Sequence, residues 1–249
     1  MDYLPQSSRQ FAVGAAGTWN DFEISVEGYY KDMHNVIEYK DGATYLSTNQ
    51  NWQNKVEVGR GNSYGSEFFI QKKVGKFNGW VGYTLSWTNR QFDNLNHGEW
   101  FPYRYDRRHD IKIAGTYHLT KNFELGAVWV YNTGQAVTFP TVFYFTADLT
   151  AFYLDGNSGS GNGVNGGYVQ YTPSRNNLRM TAYHRLDLSA TYTIIKEKFS
   201  HEFNLSLYNA YNRKNPYYLE LWGNQKQTTI RQASLIALTP SISYSINLK

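Results

Sequence analysis

Ser241-Ile242-Ser243-Tyr244-Ser245-Ile246-Asn247-Leu248 alternates a small polar residue with a large apolar one over its whole length. Successive side chains of an extended chain point to opposite faces, so this stretch predicts a strand with one greasy face and one wet face. The same period of two returns upstream. Val81, Tyr83, Leu85 and Trp87 alternate with Gly82, Thr84, Ser86 and Thr88, and Ile111, Ile113, Tyr117 and Leu119 alternate with Asp110, Lys112, Thr116 and His118. Phe123, Leu125, Ala127, Trp129 and Tyr131 face away from Glu124, Gly126 and Asn132. Leu186, Leu188, Ala190, Tyr192 and Ile194 oppose Arg185, Asp187, Ser189 and Thr191, while Phe203, Leu205 and Leu207 oppose Glu202, Asn204 and Ser206. The first third is less tidy, with Phe11, Val13 and Trp19 on one strand, Phe22, Ile24, Val26 and Tyr30 on the next, and Phe68 and Ile70 on a third.

These stretches amount to about nine strands of roughly 10 to 12 residues, longer than the 5 or 6 usual in globular sheets and matched to the 9 to 11 that cross a bilayer at a tilt. Their connections alternate between short links (20–21, 75–78, 120–122, 196–200) and long ones (34–62, 91–108, 136–181, 212–231). A transmembrane β-barrel sorts its connections in this way, with short turns on one side and long loops on the other. A soluble sandwich produces the same alternation of faces but has no reason to sort its loops. Large aromatics near the strand ends (Trp19, Trp87, Phe123, Tyr131, Tyr244) fit the interfacial girdles of a membrane barrel.

Composition agrees. Aromatic residues are 17% of the 249 and charged residues only 18%, against roughly 25% charged in ordinary soluble domains. A net charge of +4 without a basic run gives no footprint for nucleic acid. The absence of cysteine removes disulfide scaffolds, thiol nucleophiles and Cys-ligated metals. With mean hydropathy −0.58 and no apolar run of 18 residues, no transmembrane helix is predicted, which leaves a barrel open.

Bacterial single-chain barrels carry an even number of strands because both ends return to the periplasm. About nine is odd. With short turns assigned to the periplasm, the first strand starts on the outer side, and the opening Met1-Asp2-Tyr3-Leu4-Pro5 has no signal-peptide pattern. The expectation is therefore that residues 1–249 are one partial barrel domain, the C-terminal part of a larger barrel.

Five segments carry a family resemblance. They are Tyr64-Gly65-Ser66-Glu67-Phe68-Phe69, residues 79–86, Phe101-Pro102-Tyr103-Arg104-Tyr105-Asp106-Arg107-Arg108-His109-Asp110, Tyr183-His184-Arg185-Leu186-Asp187, and residues 208–217 around Asn209-Ala210-Tyr211-Asn212. Together they resemble the C-terminal barrel of Bacteroidetes-type TonB-dependent outer-membrane receptors, a likeness running from about Leu4 to Lys249. The resemblance implies a 22-stranded barrel closed by a plug, coupled through a TonB box to an inner-membrane complex. This sequence contains neither plug nor TonB box, and it stops at Lys249 where members usually end in an aromatic read by the barrel-assembly machinery. Its pattern also differs from that of receptors that pair with a surface lipoprotein, so glycan import is not carried over from them.

Candidate sites follow from position. Tyr103, Arg104, Asp106, Arg107, Arg108 and His109 sit at the outer mouth of one strand, with Tyr144, Tyr153 and Arg213 on other outer segments. They would contact a ligand or lipopolysaccharide phosphate, since Arg binds phosphate bidentately; the plainer reading is a salt-bridged rim. Glu23, Glu27, Lys31, Glu67, Lys112, Arg185, Asp187 and Glu202 would line the lumen, gripping a plug or pairing across neighbouring strands. No HxH or HExxH spacing marks a metal site, no GxSxG marks a nucleophile, and no cofactor is implied. Residues 155–167, rich in Gly, Ser and Asn, read as a flexible break in an outer loop.

The sequence thus predicts an all-β transmembrane antiparallel β-barrel portion without a plug. The function expected is energy-coupled uptake of a scarce nutrient: siderophore, cobalamin, peptide or glycan. Expected partners are outer-membrane lipid and lipopolysaccharide, a plug, the TonB complex and the barrel-assembly machinery, with no nucleic acid and no covalent chemistry. The alternative is a small self-contained barrel acting as adhesin or passive pore.

Overall fold

The computed structural model describes residues 4–41, 43, 51–147, 166–224 and 227–248. Its strands are β1 (Ser7–Trp19), β2 (Phe22–Tyr39), β3 (Val56–Lys72), β4 (Phe77–Gln91), β5 (Phe101–Pro102), β6 (His109–His118), β7 (Phe123–Asn132), β8 (Ala136–Val137), β9 (Val142–Ala147), β10 (Gly166–Tyr171), β11 (Leu178–Arg179), β12 (Tyr183–Ile195), β13 (Phe199–Tyr208), β14 (Tyr218–Asn224), β15 (Gln227–Ala233) and β16 (Thr239–Leu248). Helix is confined, among the described residues, to two 3-10 turns at Trp52–Lys55 and Asn96–Gly98.

Nine strands form one antiparallel sheet in the order β1-β2-β3-β4-β6-β7-β12-β13-β16, with β5 paired to β4. This is the all-β meander of about nine wall strands that the alternation predicts. Four pairs of strands close through 20–21, 73–76, 119–122 and 196–198; the long connections are 40–55, 92–108, 133–182 and 209–238. The tight links use residues that tolerate positive φ, Asn20 (φ 51) and Gly75 (φ 95).

Register aligns the periodic residues into rows. Ile24, Ile70, Val81, Ile113, Trp129 and Leu186 stand side by side across six strands. Nearer the short turns run Phe77, Tyr117, Leu125, Ala190, Leu205 and Ile242, then Phe123, Tyr192, Phe203 and Tyr244. Toward the long loops Tyr30, Tyr64 and Trp87 stack with centroids 6.5 and 5.4 Å apart. On β4 the aromatic ends, Phe77 and Trp87, are about 33 Å apart along an extended strand, or about 25 Å in height at a barrel's tilt, the thickness of a barrel's apolar band. This face is uncovered, with Ile24, Ile70, Val81 and Ile113 between 36% and 42% exposed.

The opposite face is polar and concave. One cavity of about 620 Å³ is bounded by Gln71 and Trp80 at one end and by Asp187, Ser189, Ser206 and Tyr208 at the other, which requires the sheet to curl around it from β3 to β13. The hydrophobic core lies elsewhere, above the wall, where Val36, Phe92, Leu95 and Phe101 pack together.

One boundary differs from the sequence expectation. The link read at 34–62 is shorter, because β2 continues to Tyr39, as the strand-like run 35–41 suggests, and β3 begins at Val56, leaving 40–55 as the connection. Asn35 adopts φ 55 and the register slips between His34 and Val36. This bulge reverses the inside-outside alternation, so the periodic signal breaks while the strand does not.

Candidate functional site

The outer mouth is organised by one buried carboxylate. β4 ends its pairing with β6 near Leu85, and residues 92–108 fold back over the mouth so that Asp106 is 2% exposed. Its Oδ1 accepts from the Thr88 N–H at 2.7 Å, and its Oδ2 receives the guanidinium of Arg179 and, at 3.6 Å, that of Arg108. Arg179 also donates to the backbone oxygens of Asp106 and Gly134. Arg108 donates to the Ser86 carbonyl at 3.0 Å and lies 4.3 Å over the Trp87 ring. Asp106 and Arg108 are therefore held in a knot that fastens three loop segments to β4, and a buried carboxylate of this kind is retained only with such partners.

The remaining rim candidates are scattered rather than convergent. Tyr103 is covered by the Arg90 guanidinium at 3.7 Å and packs edge-on against Tyr105. Arg104 and Arg107 are exposed, and neither forms an ion pair among the described residues. His109 stands on the apolar face, stacked on Tyr83 with its Nδ1 2.9 Å from the Tyr83 hydroxyl; it shares register with Leu85 and points away from the concave face. Arg213 donates to the Ala182 carbonyl and receives the Asn209 side-chain oxygen on its backbone N–H. The Tyr144 backbone belongs to the β9–β10 hairpin, whereas Tyr153 and residues 155–165 lie outside the described residues.

A second knot explains the Asn209-Ala210-Tyr211-Asn212 stretch. Asn209 is fully buried with φ 55. Its N–H donates to Asp187 Oδ1, and its amide nitrogen donates to the carbonyls of Arg213 and Ile236. Asn212 Oδ1 accepts from the Leu238 N–H. The motif turns β13 out of the wall and receives the returning chain before β16.

On the concave face the charges pair less across strands than expected. Arg185 and Asp187 bond along one strand at 2.8 and 2.9 Å, and Tyr183 and Tyr208 both accept from Arg185. Lys112 reaches Asp110 on its own strand at 3.3 Å. Glu23 alone of the eight candidates forms an ion pair with another segment, bonding Lys73 at 2.8 Å. Glu27 faces Glu67 directly, and Lys31 faces Ser63. Glu202 faces Thr193 and Ser245. The cause is register, which sets most of these charges opposite hydroxyl, glycine or like-charged residues.

Among the described residues no group of three His, Asp or Glu side chains could hold a metal, and no helix is long and apolar enough to cross a membrane, which says nothing of a barrel. Sequence reasoning missed Arg179, the partner that buries Asp106. It lies in the aperiodic connection 133–182, where no local signal marks it. The arrangement offers a polar inner surface and a braced mouth.

No family model matches the chain, and no curated protein matches it. Solved structures do. The ferripyoverdine receptor of the outer membrane of Pseudomonas aeruginosa, determined with ferripyoverdine bound, aligns with 98% of this chain at TM-score 0.54 and 13% identity. The ferric-catecholate import receptor Fiu of E. coli K12 aligns with 98% at TM-score 0.55 and 14% identity. The chain spans only 27% and 28% of those two receptors, and the likeness establishes its fold, that of a partial antiparallel β-barrel.

Proposed function

We propose that the chain forms the C-terminal part of the barrel of a TonB-dependent outer-membrane receptor of the Bacteroidetes type, which takes up a scarce nutrient. The observation that carries this reading is a nine-strand meander whose short turns and long connections alternate without exception. An uncovered apolar face between aromatic belts would meet lipid, and the concave polar face would meet a plug. The unpaired edges of β1 and β16 call for further strands to close the cylinder. Energy coupling would come from a plug and the TonB complex, insertion from the barrel-assembly machinery, and lipopolysaccharide would surround the long-loop side. An iron-loaded siderophore is the first nutrient class to test, because both structural neighbours are named for such ligands; the chain's own contribution is binding and gated passage.

The test fractionates cells for the whole protein and measures uptake with and without the proton-motive force. Recovery in the outer membrane, with energy-dependent accumulation of a ferric siderophore, is the expected result. Recovery in a soluble fraction overturns the reading.

A further inference from the structure

The short-turn rim has a chemistry that the outer mouth does not share. Its basic residues are Lys72, Lys73, Lys76, Lys121, Lys196 and Lys198, without one arginine. Lys73 is bonded to Glu23, and Glu124 is occupied by His118 at 3.1 Å. Lys76, Lys121, Lys196 and Lys198 are exposed and form no ion pair among the described residues. Lys72 projects on the apolar side, with its Nζ 5.8 Å over the Phe22 ring. Arginines serve where a planar fork must be locked in place, as at Asp106, whereas lysine extends a mobile ammonium toward a hydrated anion while its stem lies on apolar surface.

Directly above two of these turns the apolar face is grooved. Gly79, Gly115 and Ala127 lie side by side in register, between the row of Val81, Ile113 and Trp129 and the row of Phe77, Tyr117 and Leu125. Among the bulky residues Gly115 and Ala127 floor a furrow of about 460 Å³, walled by Phe77, Ile113, Tyr117, Leu125, Trp129 and Leu186. A Cβ on Gly115 would sit 3.1 and 3.2 Å from Phe77 ring carbons, so a larger residue there would displace the ring that forms the lower lip. From Ile113 to Tyr117 the furrow runs about 13 Å along the strand, ending at the rim that carries Lys76 and, on the adjoining turn, Lys121.

We infer that this furrow and the lysines below it form a site for one anionic phospholipid of the leaflet that meets the short turns. The acyl chain lies against Gly115 and Ala127, and the headgroup phosphate meets Lys76 and Lys121. The apolar lining selects hydrocarbon, and the uncompensated lysines select negative charge at the depth where a headgroup begins. The inference rests on the membrane-barrel reading, which places this face in lipid and the short turns on the phospholipid side.

The experiment takes the whole protein from its membrane, exchanges it into nanodiscs of phosphatidylcholine doped with phosphatidylglycerol, and counts retained lipid by native mass spectrometry. One phosphatidylglycerol per protein is expected to survive preferentially at this site, with the preference falling about fivefold for each lysine removed in Lys76→Gln and Lys121→Gln. Ala127→Phe, which fills the furrow, should lower retention of both lipids. Equal retention of the two lipids, a preference unchanged in the double lysine variant, or retention unaffected by Ala127→Phe each overturns the site. Displacement by purified lipid A at equal stoichiometry overturns the leaflet assignment. If Ala127→Phe does not fold, the lysine variants, on exposed turns, carry the test. A protein absent from the outer-membrane fraction fails before any lipid is added, which separates failure of the receptor reading from failure of this one.

Discussion

Val81, a third of the way along β4, is 37% exposed, whereas Phe92, one residue beyond the end of the same strand, is 1% exposed. Within one continuous stretch the chain passes from a wall that hides none of its large apolar side chains completely to a loop cluster that hides them as a water-soluble domain does. The wall depends on inter-strand hydrogen bonds and on a non-aqueous surrounding for its apolar face. The loop cluster depends on a small core of Val36, Phe92, Leu95 and Phe101 and on the buried Asp106. Aromatic residues act differently in the two places, stacking from strand to strand in the belt of Tyr30, Tyr64 and Trp87 and filling space in the cap.

Four substitutions probe that contrast. On the wall, Leu188→Arg should cost about 2 to 4 kcal/mol near the middle of the apolar band, while Ser189→Arg on the other face is tolerated; the reverse order would exchange the two faces. Asp106→Ala leaves the Thr88 N–H without its acceptor and the partly exposed Arg179 and Arg108 without their shared carboxylate and should cost about 1 to 3 kcal/mol, read by equilibrium unfolding in detergent and by protease sensitivity of residues 92–108. A cost near zero would mean that the loops are not held by this knot. The smallest effect is expected at the facing carboxylates. Glu67→Gln removes a like-charge pair with Glu27 and should stabilise by about 0.2 to 1 kcal/mol at low salt, an effect that added salt erodes.

How much of this was legible depended on whether a residue's partner was local. Ile113 and Trp129 declare their face by period alone, because a strand's geometry is fixed by its own backbone. Residues 35–41 read as strand-like, and β2 does run to Tyr39, but a single residue at positive φ inverts the inside-outside pattern there, so the face each side chain takes was not legible. Asp106 and Arg108 stood out as a charged cluster, but their occupation depends on Arg179, more than 70 residues away. Register is likewise non-local: Glu27 and Glu67 were each readable as inward-facing, and only strand pairing sets them face to face. The lysines of the short turns were present in the sequence throughout, each alone unremarkable; the meander gathers them on one rim.

The alternation of connection lengths also sets a timetable for folding. Loop-closure entropy grows with the logarithm of loop length, so joining β7 to β12 across residues 133–182 costs about 2 kcal/mol more than joining β6 to β7 across residues 119–122. Hairpins with tight turns form in microseconds. The pairs β1–β2, β3–β4, β6–β7 and β12–β13 are therefore expected to arise as early units, with the seams between them zipping later. Mutations that loosen a turn would then slow the first events, and mutations that lengthen an outer loop would slow only the last.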